Sequence, residues 1–221
     1  MGQRDAPQAV GDLFRMTDLP RRIPLFPLAG ALLLPRGTLP LNIFEPRYLK
    51  MVEDAMASDR LVGMIQPRDE AAVPSLYAVG AVGRITQFAE SGDGRYLIAL
   101  SGVTRFRMAR ELDVDTPYRQ AEVGYEGFGD DSAEPSGLGA IERADIEEQL
   151  RAYLDVQGLS ADWDAVAKAD DESLINTIAA VCPFDPVEKQ ALLEAPDVAA
   201  RAATLSALMA FAAPVSRPTM H

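Results

Sequence analysis

The chain has 221 residues, of which 48% are hydrophobic and 24% are charged, a composition that supports packed cores and argues against disorder. Its formal net charge of −12 argues against non-specific attraction to DNA or to an anionic membrane, and no apolar run reaches the roughly 18 residues that a membrane span requires. Its one cysteine, Cys182, excludes an intramolecular disulfide and favours a cytoplasmic location.

The first half of the chain begins with a proline-rich ribbon. Residues 1–22 are mostly polar and poorly periodic, so we expect a flexible arm. Between residues 23 and 48, five prolines exclude a continuous helix, and the apolar residues between them indicate an extended ribbon in a β core. Alternation over 38–44 predicts a strand, and Pro40 inside it favours an edge strand or a bulge. Pro46 occupies the first position of a predicted helix that continues to Ser58.

Short strands follow that helix. Residues 61–66, 77–89, 96–108 and 119–125 have strand patterns, and a Gly-rich turn at 90–95 predicts a hairpin. Glycines interrupt several of these strands, which is typical of a small, strongly coiled sheet. Residues 23–125 are therefore predicted to form a barrel-like unit with one helix.

The second half differs in charge and in periodicity. Residues 1–125 contain 15 basic and 15 acidic residues, whereas residues 126–221 contain 6 and 18. Gly, Pro, Ser and acidic residues dominate 126–137, which is predicted to be a linker. Residues 138–213 have only helical patterns and predict a bundle of four or five helices, followed by a loose tail at 214–221.

The usual catalytic patterns are absent from the sequence. It has no Gly-rich phosphate loop, and its only histidine is His221, the last residue. Cys182 lies on an apolar helix face without a basic neighbour, which indicates a buried structural cysteine. One Cys and one His do not make a zinc site, and the acids at 170–172 are interpreted as favouring a helix N-terminus over binding a cation. We expect neither a cofactor nor an enzymatic activity.

Two features could bind a partner, and each has a simpler alternative. The apolar run 29–34 could be an exposed strip for an extended chain, or it could be buried core. Arg84, Arg105 and Arg107 could hold an anion on one sheet face, or they could be ordinary surface charges. The candidate binding residues are Leu32, Leu33, Leu34, Phe44, Arg47, Tyr48 and Arg105.

Several segments together resemble a known family. They are IPLFPL, LPLNIFEPRY, GRITQF and SGVTRFRM in the first half and ESLINTIAAVCPFDPVEKQALLEA in the second. In order and spacing they resemble the N-terminal substrate-binding domain of the Lon proteases, in its stand-alone bacterial form. The resemblance implies an α+β protein, with a PUA-like β pseudobarrel followed by an α-helical bundle, and it implies no catalytic residue.

The resemblance also sets the functional expectation. Lon domains of this type recognise unfolded or tagged substrates and help to assemble the oligomer. We therefore expect a non-enzymatic protein- or peptide-binding module, acting as an adaptor or a chaperone-like binder. Expected partners are unfolded protein or peptide segments, with a protease and further copies of the chain as additional candidates, and neither DNA nor a membrane. The alternative is binding of RNA or a small anionic ligand through the PUA-like barrel.

Overall fold

The computed structural model describes residues 19–134 and 137–212, except for the side chain of Ile141. Most of the predicted N-terminal arm and all of the predicted tail lie outside these residues. The predicted α+β class and the order of its two parts are confirmed. The strands are β1 (Arg22–Pro27), β2 (Thr38–Ile43), β3 (Leu61–Ile65), β4 (Val79–Glu90), β5 (Tyr96–Leu112) and β6 (Gln120–Gly124). The helices are α1 (Pro46–Met56), α2 (Ala140–Gln157), α3 (Trp163–Lys168), α4 (Asp171–Val181), α5 (Pro186–Glu194) and α6 (Val198–Ala212).

The six strands form one sheet that closes on itself. Its order is β2-β5-β4-β3-β1-β6, and an additional pairing joins β5 to β6. Closure depends on the length of β5, since residues 96–101 pair with β2 and residues 107–112 pair with β6. At Gly102, between these two parts, a Cβ atom would collide with the carbonyl oxygen of Leu34. The glycine therefore lets the proline-rich ribbon lie directly on β5.

Helix α1 begins where the sequence predicts. Pro46 is at its start, and Tyr48, Met51, Val52 and Ala55 form its buried face. This face packs against the barrel and positions the β2–α1 junction, which consists of Phe44 and Glu45.

Local capping explains the starts of the later helices. The Asp170 carboxylate accepts a hydrogen bond from the Ser173 N–H at 2.8 Å, and the Asp185 N–H donates to Glu188 at 2.8 Å. Asp171 binds Arg143, and Glu172 binds Arg36. Asp170 thus caps the start of α4, and Asp171 and Glu172 each form an ion pair with an arginine.

The barrel and the helices share one hydrophobic core, and the segment between them is anchored at 128–131. Phe128 is buried, residues Gly129–Ser132 form a 3₁₀ turn, and the buried Asp131 side chain binds Arg105 of β5. The linker predicted over 126–137 therefore contains a segment, 128–131, with buried contacts to the rest of the chain. The composition of this segment is polar, but the Phe128 ring and the Asp131 carboxylate are buried, and both lie against Arg105.

Candidate peptide-binding surface

The predicted aliphatic strip is not exposed. Leu32, Leu33 and Leu34 are only 3%, 2% and 2% exposed and belong to the shared core. They lie beside α4, where they line a cavity of about 280 Å³ together with Asn176, Thr177 and other residues. The interpretation of this run as a surface for an extended chain is therefore corrected, and its alternative, burial, holds.

Arg105 is also buried, so it cannot hold a partner at the surface. Its Nη2 donates to Asp131 at 2.7 Å and to the Pro196 carbonyl at 3.0 Å, and its Nη1 donates to the Leu193 carbonyl at 3.1 Å. These carbonyls lie at or just beyond the C-terminal end of α5, where the helix dipole favours a cation. Arg105 therefore joins the barrel, the segment before α2 and the bundle, and the predicted three-arginine face on the sheet does not form.

Arg47 and Tyr48 lie at a groove beside the start of α1. The Tyr48 ring is buried against Phe26, with ring centroids 4.3 Å apart, and burial raises the pKa of its hydroxyl. The Arg47 guanidinium lies 4.5 Å from the centre of the Tyr48 ring and binds Glu45. The groove has a volume of about 320 Å³, and its other walls include Pro67, Pro74, Pro117, Tyr118 and Arg119.

This groove offers more apolar surface than free charge. Arg119 already pairs with Glu111 and donates to the Pro74 carbonyl at 2.8 Å. Tyr118 donates to Asp54 at 2.8 Å. Since Arg47 is paired as well, a carboxylate would have to compete with resident acids for either arginine. The groove is thus better suited to proline or aliphatic side chains than to anions.

Phe44 is exposed, as a binding residue should be. It is 62% exposed at the β2–α1 junction, and the Arg95 guanidinium lies 5.8 Å from the centre of its ring. Two further apolar side chains are exposed on the neighbouring strands, Phe88 at 43% and Leu97 at 50%. An open depression of about 580 Å³ includes both of them, together with Pro40 and Leu41 of β2.

The sequence analysis did not identify Phe88 and Leu97 as candidates, although the pattern around Leu97 indicates an exposed apolar residue. Ile98 and Leu100 are buried, so their alternation sets the inward-facing positions of β5. Leu97 occupies an outward-facing position next to them and is nevertheless apolar. An isolated exposed leucine needs no explanation, but Leu97 pairs with Asn42 of β2, and Arg95 on the same face of β5 contacts the Phe44 ring, so Leu97 and Phe44 belong to one apolar patch. Phe88 pairs with Ile98 and packs on Tyr96, so it lies on the opposite face of the sheet.

The free edge of β2 borders this patch. Among the strands of the described residues, every other one has at least two neighbours, whereas β2 pairs only with β5. Pro40 within β2 fits such a position, because proline in a sheet is largely confined to edges and bulges. We call the free edge of β2, together with Pro40, Phe44 and Leu97, the β2 edge surface.

Comparisons with known proteins agree with this architecture. The family model described as "ATP-dependent protease La (LON) substrate-binding domain" matches residues 22–210. A "Lon protease 2" of Myxococcus xanthus is 28% identical over 201 residues, which are 86% of this chain and 23% of that protein. A "Lon protease 2" of Sorangium cellulosum is 34% identical over 106 residues, 46% of this chain and 13% of that protein. The chain therefore spans about a quarter or less of these relatives.

Two solved structures are similar in fold. A Lon N-terminal domain protein from Xanthomonas campestris aligns with a TM-score of 0.60 at 25% identity and covers 86% of this chain and 98% of that one. The N-terminal domain of a Lon protease from Mycobacterium avium complex aligns with a TM-score of 0.61 at 18% identity, with the same coverage. The second likeness concerns the fold alone.

Proposed function

Because the chain belongs to the family of the Lon substrate-binding domain, we propose that it recognises protein substrates by binding extended, apolar segments of unfolded chains at the β2 edge surface. The single observation that carries this proposal is the juxtaposition of an unpaired strand edge with exposed Phe44 and Leu97. Backbone groups on a free edge bind any extended segment, whatever its sequence. The neighbouring apolar side chains then favour segments that a folded protein would bury.

The surface suits weak and reversible recognition. The free edge is short, at six residues, and one of these is a proline without an N–H donor. Full burial of a side chain such as Leu or Phe contributes about 1.5–3 kcal/mol, and a large part of that is lost in ordering a flexible client. Such a balance fits a module that samples many unfolded chains and releases them.

The proposal assigns a binding role and no catalytic step. Burial raises the pKa of the Cys182 thiol to about 11, so the thiol is almost wholly protonated at neutral pH and is a poor nucleophile. A free, reduced cysteine of this kind fits a cytoplasmic protein. Delivery of the bound client to a protease, as an adaptor would do, is a further part of the proposal.

The alternative, binding of RNA or a small anionic ligand through the barrel, rests on fold analogy alone. The barrel arginines add no support to it, since Arg105 faces the interior, where it binds Asp131. The acidic second half of the chain also disfavours phosphates.

Two matched phenylalanine variants test the proposal. Phe44→Ser removes an exposed ring from the β2 edge surface, and Phe211→Ser removes an 88% exposed ring from α6 in the bundle. Affinity for a fluorescently labelled, permanently unfolded model protein is measured by anisotropy. We expect Phe44→Ser to weaken binding about tenfold, the effect of losing roughly 1.4 kcal/mol, and Phe211→Ser to leave it unchanged. Equal affinities for both variants and the parent protein would refute this site.

A further inference from the structure

Pro40 lies in the middle of the free edge of β2. The Gly37 carbonyl accepts a hydrogen bond from the Gly102 N–H of β5 at 2.8 Å, so Gly37 faces β5. Because backbone groups alternate in direction along an antiparallel strand, Thr38, Pro40 and Asn42 face the free edge. Thr38 and Asn42 each offer an N–H and a C=O, whereas Pro40 offers only a C=O. The edge therefore presents three acceptors and two donors.

An extended client loses one hydrogen bond at this edge. In an antiparallel ladder, each outward-facing residue exchanges two backbone hydrogen bonds with the residue opposite, so three such residues allow six. A client donates to all three carbonyls and accepts from Thr38 and Asn42, which makes five. The client carbonyl opposite Pro40 has no donor, but Pro40 is exposed, so water can bind this carbonyl instead.

A second copy of the chain loses two hydrogen bonds at the same place. When two β2 edges pair antiparallel with full overlap, Thr38 of each copy lies opposite Asn42 of the other, and Pro40 lies opposite Pro40. The two Thr38–Asn42 pairs form four hydrogen bonds. The pair of prolines forms none, because neither has an N–H. A register shifted by two residues in either direction places each Pro40 opposite Thr38 or Asn42 and retains only two hydrogen bonds.

Pro40 is also the one protective feature within β2. Natural sheet edges are kept from pairing with each other by charged side chains, by bulges or by proline. The sequence of β2, TLPLNI, has no charged residue, and its register with β5 runs from Thr38 to Ile43 without a shift. The exposed Phe44 and Leu97 beside the edge would favour association of two copies. Without Pro40, the β2 edge would therefore be an open template for a second copy.

We propose that Pro40 makes the β2 edge surface selective for unfolded clients over a second copy of the chain. This inference rests on the proposed function, because it concerns the same edge. The missing N–H removes one hydrogen bond from the complex with a client and two from a pair of copies. One net hydrogen bond changes an equilibrium constant by a factor of roughly 2–10, so Pro40 favours the client by about that factor.

Replacement of Pro40 by a residue that has an N–H tests this selectivity. Pro40→Val restores the donor, and Pro117→Val, at an exposed loop position between β5 and β6, is the matched control. Self-association is measured by sedimentation velocity over a concentration series of the full chain. We expect Pro40→Val to strengthen it about 4- to 100-fold, the square of the factor for one hydrogen bond, and Pro117→Val to leave it unchanged.

Amide exchange shows whether the association uses this edge. In Pro40→Val, protection of the Thr38 and Asn42 amides should rise with protein concentration, and in the parent protein it should not. Self-association equal to that of the parent, or protection that rises only outside β2, would overturn the proposal. Neither measurement contains a client. A parent protein that binds no client would therefore refute the proposed function without changing these results.

Two peptides test the same count on the parent protein, whether or not the variant folds. One has the natural sequence of residues 36–45, and the other has the same sequence with Pro40→Val. Opposite the edge of the parent protein, the natural peptide forms four hydrogen bonds and the valine peptide forms five. We expect the valine peptide to bind roughly 2- to 10-fold more tightly, measured by fluorescence anisotropy. Equal affinities of the two peptides would overturn the proposal.

Discussion

Replacing Asp131 by Ala should destabilise the whole protein, although Asp131 lies in a polar, loop-like segment. Its carboxylate accepts hydrogen bonds from the backbone N–H of Arg105 at 2.8 Å, from Arg105 Nε at 3.0 Å and from Nη2 at 2.7 Å. Removing one partner of a buried ion pair leaves an uncompensated charge and costs about 3–5 kcal/mol. For a chain of this size, each kcal/mol lowers the melting temperature by roughly 2–4 °C, so we expect a fall of roughly 6–20 °C.

The adjacent Asp130 provides the matched control for this experiment. It carries the same charge in the same 3₁₀ turn, but its side chain is exposed, so Asp130→Ala should change stability by no more than about 0.5 kcal/mol. Thermal unfolding followed by circular dichroism compares the two variants. Equal melting temperatures of the two variants would show that the Arg105–Asp131 pair does not stabilise the fold, and they would refute the reasoning.

Three further predictions concern stability and reactivity. Leu33→Ala should lower the free energy of unfolding, measured by chemical denaturation, by about 2–5 kcal/mol because Leu33 lies in the core. Leu97→Ala should lower it only slightly. A small effect at Leu33 would contradict its burial. Burial raises the pKa of Tyr125 from 10.0 to about 12, so its contribution to stability is complete below pH 10 and is lost as the pH rises through 12. Tyr125→Phe should therefore flatten the decline in the free energy of unfolding at alkaline pH. An unchanged slope would contradict this role of Tyr125. Cys182 should react with a thiol reagent only after unfolding, which rapid labelling of the native protein would disprove.

Features set by neighbouring residues were predictable from the sequence. Pro46 at a helix start and Pro40 in an edge strand both depend on local backbone geometry, and the structure has both. The alternating pattern of 38–44 predicted β2 in the same way. For such features the residue's own φ angle or missing N–H decides the outcome.

Features set by distant partners were not predictable. A charged residue within a strand pattern predicts a surface position for Arg105, yet Arg105 and its neighbours Thr104 and Phe106 are all buried. Its partners are Asp131 and carbonyls about 90 positions further along the chain, and no local pattern announces them. The burial of Leu32–Leu34 was not predictable either, because α4 covers these residues only when the bundle packs on the barrel.

The most direct test of the central claim is hydrogen–deuterium exchange of the full chain with and without an excess of a permanently unfolded model protein. The account predicts added protection at the amides of Thr38 and Asn42, because their N–H groups share the free edge with Pro40 and a client that pairs with this edge covers them. The amides of α6 should exchange at the same rate in both samples. Protection confined to the helical bundle, with β2 unchanged under conditions where the client is bound, would contradict the assignment of the binding site to the β2 edge surface.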